Sequence, residues 1–451
     1  FLAFRGEYAD GRDYIASALE RGAAAVLWDP AEGFVWPAQW ANTPNLAVPA
    51  LRQRAGMVAS QALGHPSRAM LMVGITGTNG KTSISHWLAQ AWTLLGRKTA
   101  LIGTVGNGFV GELSDTTHTT PDPVTVQHRL ADYLRQQAQV VAMEVSSHGL
   151  DQFRVNGVAF TTAVFTNLTR DHLDYHGDMA AYGASKARLF HWDGLRHAVI
   201  NIDDAFGQTL AAGIDRERTT VYTYGLSGGD ITATRLDASL AGLHLDVRTP
   251  WGDGHIDTPL LGRFNAANLL ACLGALCANG VALADACRVL GQILPARGRM
   301  QHSGGHREPL VVIDYAHTPD ALDKALTTLA EIRPAGGKLY CVFGCGGDRD
   351  PGKRPQMGAI AQARADVTVV TSDNPRSEAP DAIIADILAG MSAPGHVDAD
   401  RAAAIHWAID QAQVGDVVLI AGKGHEEYQD IAGVKHPFSD FRVAEAALTR
   451  W

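Results

Sequence analysis

The fold class that this sequence predicts is α/β in two or three domains, and three observations carry it. Short apolar runs alternate with segments of helical periodicity along nearly the whole chain, the mark of βα units around largely parallel sheets. Two separate series of such runs occur, one mid-chain and one beginning at residue 310, which predicts a central parallel-sheet domain and a C-terminal Rossmann-like domain. The length of 451 residues is too great for one compact core. Turn-rich stretches at Pro49 to Leu51 and at Pro295-Ala-Arg-Gly-Arg299 mark the joins, so domains are expected over 1–50 (a small α/β unit), 51–297 and 298–451.

In chain order, residues 69–73, 140–145, 163–166 and 198–201 read as buried strands, each followed by polar or Gly-containing turn residues. Their C-terminal ends are expected to form the active edge. Alternation at 243–247 and 255–257 across Trp251-Gly-Asp-Gly254 predicts an antiparallel hairpin. The second series comprises 310–314, 339–343, 367–371 and 417–421. With 46% hydrophobic and 19% charged residues and no long apolar run, the chain is expected to be globular and not inserted in a membrane. The net charge of -9 argues against nonspecific nucleic-acid binding. Cys272, Cys277, Cys287, Cys341 and Cys345 are odd in number and lack paired CxxC spacing, which argues against a disulfide framework or structural zinc and fits a cytoplasmic protein. Residues 1–12 do not read as a secretory signal, and the chain starts at Phe, so an N-terminal portion is expected to be missing.

After the first central strand comes Gly74-Ile-Thr-Gly77-Thr78-Asn79-Gly80-Lys81-Thr82, then a helical pattern over 83–90. A Gly-rich turn at a helix N-terminus aims backbone N–H groups at phosphate oxygens, Lys81 adds a positive charge near the terminal phosphates, and Thr82 is placed to coordinate Mg2+. Ile75 stands where the strict phosphate-loop pattern has its first Gly. The bland alternative is an ordinary βα turn; ATP or GTP binding is the stronger reading. Glu144-Val-Ser-Ser-His148 ends the next strand with oxygen donors that suit magnesium, although Glu144 alone reads equally well as a core-edge ion pair.

The segment Thr76 to Thr82 resembles the phosphate loop of the Mur ligases and their folylpolyglutamate synthetase relatives, which join a carboxylate to an amine through an acyl phosphate. The resemblance runs from Phe1 to the C-terminal region and implies ATP as co-substrate and Mg2+ as cofactor. It implies Glu144 and His172, in Thr166-Asn-Leu-Thr-Arg-Asp-His172, as metal ligands, with His176 structural, and Lys186 as a lysine that relatives carry carbamylated. A carbamate would turn a cation into an anionic ligand; an exposed helix lysine is the bland reading. The resemblance also makes Thr119, Thr120, Ser146, Gln152 and Arg154 contacts to UDP-MurNAc-L-Ala-D-Glu, with His118 where many relatives have Asn. Asn265 and Asn268 of Gly262-Arg-Phe-Asn-Ala-Ala-Asn268 suit an adenine edge, or cap a helix. Arg299, and Asp314 and His317 of Asp314-Tyr-Ala-His317, complete the implied ATP contacts.

In Asp373-Asn374-Pro375-Arg376, the members that add meso-diaminopimelate carry an Arg that lysine-adding members usually lack. Diaminopimelate has a second carboxylate, which the planar guanidinium fork of Arg376 matches. Arg349, Gly422 and Glu426 are the further implied contacts to this amino acid. The first residues then belong to a uridine-binding domain present only in part, and a monomer is expected. The rivals are the same chemistry with lysine or with folate polyglutamylation, and a phosphate-loop ATPase that ligates nothing.

Overall fold

The computed structural model describes residues 1–451 except Glu7, Tyr8, Asp115 and Thr117; Glu7 and Tyr8 fall in the 1–12 segment discussed above. The chain forms two compact units, Phe1–Ile231 with Ala271–Ala282, and Thr232–Leu270 with Leu283–Trp451.

The first unit begins with a small parallel sheet of β1 (Leu2–Ala3), β2 (Val26–Trp28) and β3 (Asn45–Ala47). Ala3, Ile15, Val26 and Trp28 give it a core of its own, extended by Trp36 stacked on Trp28 at 6.0 Å. The main sheet contains β4 (Leu71–Thr76), β5 (Thr99–Gly103), β6 (Gly106–Phe109), β7 (Glu112–Ser114), β8 (Val140–Glu144), β9 (Thr162–Phe165), β10 (His197–Asn201) and β11 (Thr220–Gly225). Within this unit they lie in the order β11-β10-β9-β4-β8-β5-β6-β7, parallel except that β6 runs antiparallel to both β5 and β7.

Strand β4 has later strands on both sides, the topological switch at which α/β sheets bind ligands. Register aligns Ile75 with Glu144 and Thr76 with Phe165, so the segments after β4, β8 and β9 leave from one edge. The helix Lys81–Leu94 follows β4 and buries Ile84, Trp87, Leu88, Ala91 and Trp92.

The second unit contains antiparallel β12 (Ile231–Ser239), β13 (Gly242–Thr249) and β14 (Gly252–Thr258). Its main sheet is formed by β15 (Gln301–Gly304), β16 (Leu310–Asp314), β17 (Leu339–Phe343), β18 (Val367–Val370), β19 (His396–Val397) and β20 (Val417–Ala421), in the order β15-β16-β20-β17-β18-β19. Only β15 runs antiparallel. Alternate residues enter opposite faces, as a pleat requires: Leu310, Val312, Cys341 and Phe343 join one core and Val311, Ile313, Tyr340 and Val342 the other. Phe343 pairs with both Val370 and Ala421, so residues 344–349, 371–376 and 422–426 emerge at one edge. A last hairpin, β21 (Tyr428–Ile431) and β22 (Val434–Pro437), follows.

The expected strands are present, with shifts and additions. The first central strand begins at Leu71 rather than 69, because Pro66–Ala69 forms a 3-10 turn with Pro at its start. The five cysteines are buried, and none is in a disulfide among the described residues. Among the described residues no helix is long and apolar enough to cross a membrane.

Behind the edge of the second unit lies a fully buried ion pair. Arg401 Nε and Nη2 donate to Asp440 Oδ1 and Oδ2 at 2.7 and 2.8 Å. Its other hydrogens reach Ser372 O at 3.2 Å and Ala421 O at 3.0 Å, the residues just before Asp373 and Gly422. Breaking such a pair leaves an uncompensated buried charge. Asp440→Ala is therefore expected to lower unfolding stability by about 3–5 kcal/mol in urea titration; an unchanged midpoint would contradict this role.

Candidate functional site

The first-unit edge is built around Glu144, which has no exposed surface. Thr82 Oγ1 donates to Glu144 Oε2 at 3.0 Å, Thr104 N to Oε1 at 2.8 Å, and Thr104 Oγ1 to Oε2 at 3.1 Å. Gly103 makes room for this carboxylate, since a Cβ there would sit 2.2 Å from Oε1. A buried carboxylate holds its charge only when hydrogen-bonded or paired, and here the loop after β4 and the end of β5 supply the donors.

The loop itself needs its glycines. Gly77 has φ 148 and Gly80 φ 86, and a Cβ on Gly77 would meet Thr166 Oγ1 at 1.8 Å. The segment after β9 braces the loop: Asn79 N donates to Asn167 Oδ1 at 2.9 Å and Thr166 Oγ1 to Asn79 O at 2.6 Å. Lys81 Nζ folds back onto the Gly77 and Thr78 carbonyls, both at 2.8 Å.

Lys186 is 1% exposed, so the bland reading of an exposed helix lysine is set aside. Its Nζ donates to Gly77 O at 2.9 Å and lies 4.3 Å from the Tyr182 ring centroid. Burial, reinforced by Lys81 and opposed by Asp171, holds its ammonium well below the usual lysine pKa. Tyr182 links it to the loop through Thr78 Oγ1 at 3.2 Å.

His172 sits in the left-handed region at φ 53, 3.3 Å from Asp171. Its ring packs edge-on to His148 at 4.9 Å, and His176 packs against Tyr182 at 5.2 Å. Burial lowers the His172 pKa, favouring the neutral imidazole that metals bind.

The residues expected to hold the nucleotide-sugar peptide are joined to the same centre. Thr119 Oγ1 lies 3.0 Å from Thr104 Oγ1. Thr120 Oγ1 donates to Glu144 O at 2.9 Å and accepts from Ser146 N at 3.0 Å. Arg154 donates to Thr120 O at 2.8 Å and, through Nε and Nη2, to Gln152 Oε1 at 3.0 and 2.6 Å. His118 is exposed.

Thr82 Oγ1 and Glu144 Oε2 fit magnesium. Both are hard oxygen donors, the class magnesium takes, and their hydrogen bond puts them side by side at the end of the phosphate loop. Thr104 and Tyr182 were not found by sequence reasoning; the only local signal was a hydroxyl just past the apolar run Thr99 to Gly103.

In the second unit, Asn265 and Asn268 are buried near the start of the helix Arg263–Ala278. Asn265 Nδ2 donates to Leu261 O at 2.8 Å and Asn268 Nδ2 to Asn265 Oδ1 at 3.0 Å. Asp314 Oδ2 accepts from Met300 N at 2.8 Å, and burial raises its pKa against the pull of Arg299. Arg299 lies over the Tyr315 ring at 4.8 Å, and His317 packs on that ring at 4.6 Å.

The loops after β18 and β20 are knotted by Lys423, which is fully buried. Its Nζ donates to Asn374 Oδ1 at 2.9 Å and Glu426 Oε2 at 3.1 Å, 3.6 Å from Asp373 Oδ1. Asn374 Nδ2 donates to Glu426 Oε2 at 2.7 Å. Gly422 has φ 117, and a Cβ there would meet Asp373 Oδ2 at 2.7 Å. Burial pushes His425 down to about 4, with Arg299 adding to the effect.

Arg376, at φ 50, donates from Nη1 to Gly347 O at 2.6 Å. Its backbone is tied to Asp430 O at 2.9 Å and to Ala432 N at 2.7 Å. Arg349 is exposed; a Cβ on Gly346 would lie 2.9 Å from Arg376 Nη1 and 3.9 Å from Arg349 Cγ, so both arginines flank one bare stretch of backbone. Lys423 stands between Gly422 and Glu426 in the chain, yet nothing in the sequence marked it as the buried hub.

A phosphate loop whose hydroxyl faces a buried carboxylate, with a separate unit carrying a second polar strand edge, defines a nucleotide-dependent enzyme. Residues 75–276 match the Mur ligase middle domain and residues 298–424 the Mur ligase glutamate ligase domain. The chain belongs to the Mur ligase family. It is 74% identical over 452 residues to the UDP-N-acetylmuramoyl-L-alanyl-D-glutamate--2,6-diaminopimelate ligase of Chromobacterium violaceum, covering 100% of this chain and 92% of that protein. The protein of the same name from Neisseria meningitidis serogroup A is 58% identical over 454 residues with the same coverage. A solved structure of a ligase of that name aligns at TM-score 0.75 and 40% identity, covering 100% of this chain and 92% of that one.

Gly77→Ala combines a Cβ clash with an unfavourable φ. It is expected to weaken binding of a nonhydrolysable ATP analogue more than about tenfold by calorimetry; unchanged affinity would remove the loop from the nucleotide site.

Proposed function

We propose that the chain is an ATP-dependent ligase that adds meso-2,6-diaminopimelate to UDP-N-acetylmuramoyl-L-alanyl-D-glutamate in cytoplasmic peptidoglycan precursor synthesis, and that it acts as a monomer. The observation that carries this reading is the loop 373–376: Asn374, Lys423 and Glu426 fix it to the segment after β20, and Gly347 O holds one arm of the Arg376 guanidinium. A fixed planar fork is the group that matches a second carboxylate bidentately.

The D-Glu γ-carboxylate of the substrate attacks the γ-phosphorus of ATP, forming an acyl phosphate and releasing ADP. Lys81 and the loop N–H groups offset charge on the transferring group. Thr82, Glu144 and His172 would hold Mg2+, which supplies charge neutralisation at the phosphates. Asn265, Asn268, Arg299, Asp314 and His317 serve as the remaining ATP contacts, and Thr119, Thr120, Ser146, Gln152 and Arg154 position the peptide substrate. The neutral amine of diaminopimelate, held by Arg349, Asp373, Asn374, Arg376, Gly422 and Glu426, then attacks the acyl carbon, and phosphate leaves the tetrahedral intermediate. Most of the catalysis is positioning.

Lys186 is the proposed carbamate. Burial holds its amine well below the usual lysine pKa, which favours the neutral form that is nucleophilic toward carbon dioxide. With labelled bicarbonate, a carbamate carbon resonance is expected in the protein and absent from Lys186→Met; a spectrum identical in both would sink this modification.

The ligation itself is tested by phosphate release with the dipeptide substrate and either meso-diaminopimelate or L-lysine, with the product identified by mass. Product with diaminopimelate alone is expected, and equal rates with lysine would overturn the assignment of Arg376. Arg376→Lys keeps the charge but loses the fork, and is expected to raise KM for diaminopimelate about ten- to hundredfold with little change in KM for ATP.

A further inference from the structure

The antiparallel ribbon of β13 and β14 carries a group of residues that none of the chemistry above uses. Its inner face is Leu243, Leu245, Val247 and Ile256, all 3% exposed or less. The pleat therefore sends His244, Asp246, His255 and Asp257 to the other face. Register pairs His244 with Asp257 and Asp246 with His255, so two imidazoles and two carboxylates alternate around a square, at cross-strand Cβ spacings of about 4.5–5.5 Å.

The contacts are close. His244 Nδ1 lies 2.7 Å from Asp257 Oδ1, His255 Nδ1 2.8 Å from Asp246 Oδ1, and His255 Nε2 2.7 Å from Asp257 Oδ2. Donor atoms of His244, Asp246 and His255 all fall within 4.8 Å of one another. Both ring nitrogens of His255 face carboxylate oxygens, yet a neutral imidazole has one N–H. The square thus calls for one more positive charge, from a proton or from a metal ion.

We propose that His244, Asp246 and His255, with Asp257 hydrogen-bonded beside the two imidazoles, form a binding site for a divalent transition metal ion of the zinc class, bridging β13 and β14. Two anionic and two neutral donors balance a dication, and imidazole with carboxylate suits zinc, cobalt or nickel, whereas magnesium and calcium favour all-oxygen shells. Tetrahedral bonds of about 2.0–2.1 Å put neighbouring ligand atoms roughly 3.3 Å apart, so on binding the hydrogen-bonded contacts open slightly while the wider separations, within 4.8 Å, draw in. The side chains have room to do so, being 36% (His244), 43% (Asp246 and His255) and 69% (Asp257) exposed. A cavity of ≈ 340 Å³ beside His244 and Asp257 gives an ion access from solvent. Bound there, the ion adds a metal bridge to two strands already paired by backbone hydrogen bonds, the apolar inner face and the cross-strand His–Asp contacts.

The test uses the full chain, stripped of metal and held in excess magnesium so that oxygen sites are filled, titrated with Co2+ and followed by visible absorption. A tetrahedral cobalt band saturating at about one equivalent, and displaced by Zn2+, is expected. The double variant His244→Gln/His255→Gln is expected to lose the band, with Co2+ affinity down by about tenfold or more, while keeping its far-ultraviolet dichroism and phosphate release. Asp253→Asn, on the same ribbon, serves as the control and is expected to titrate like the parent. No cobalt band in the parent, or the same titration in parent and double variant, overturns the proposal.

Discussion

The buried carboxylate of Glu144 is the constraint on which the first unit's site depends. A carboxylate without solvent is tolerable only where donors surround it, and satisfying it fixes three things together. Thr82 is drawn to the end of the phosphate loop, Thr104 is pinned after β5, and Gly103 must lack a Cβ. The carbonyl of Glu144 in turn anchors Thr120, which accepts from Ser146 and whose own carbonyl accepts from Arg154. One side chain thereby connects the nucleotide loop with the residues assigned to the peptide substrate, and the parallel register of β4 and β8 places it there.

The second unit solves a similar problem with cations. Lys423, with no exposed surface, gathers Asn374 and Glu426, while Arg401 and Asp440 brace the carbonyls just upstream of both loops. Buried charges of this sort contribute little net stability but are costly to disturb. They hold the loops carrying Arg376 and Glu426 in one arrangement.

Much of this was legible in the sequence. Apolar runs gave the parallel strands of both units, because a strand buried on both faces must be apolar throughout. Thr82, Glu144 and Lys186 were found because motif spacing or resemblance marked them. The edge strands were missed: β6 and β7 carry Gly106, Gly108, Glu112 and Ser114, residues that read as turn, and only pairing beside β5 makes them strand. Thr104, Tyr182, Lys423, Arg401 and Asp440 were missed for another reason. Each acts through a partner distant in sequence, Arg401 and Asp440 being 39 residues apart, and such pairings have no local signature.

The central claim is that a substrate carboxylate is phosphorylated at the Lys81, Thr82 and Glu144 edge before an amine displaces the phosphate. The most direct measurement follows oxygen. With 18O in the γ-carboxylate of the D-Glu residue, turnover with ATP and diaminopimelate is expected to deliver one labelled oxygen to each inorganic phosphate released, and Glu144→Gln is expected to suppress label transfer and ligation together. Ligated product accompanied by unlabelled phosphate would contradict the account, because the carboxylate would then have been activated by a route that never joined it to phosphorus.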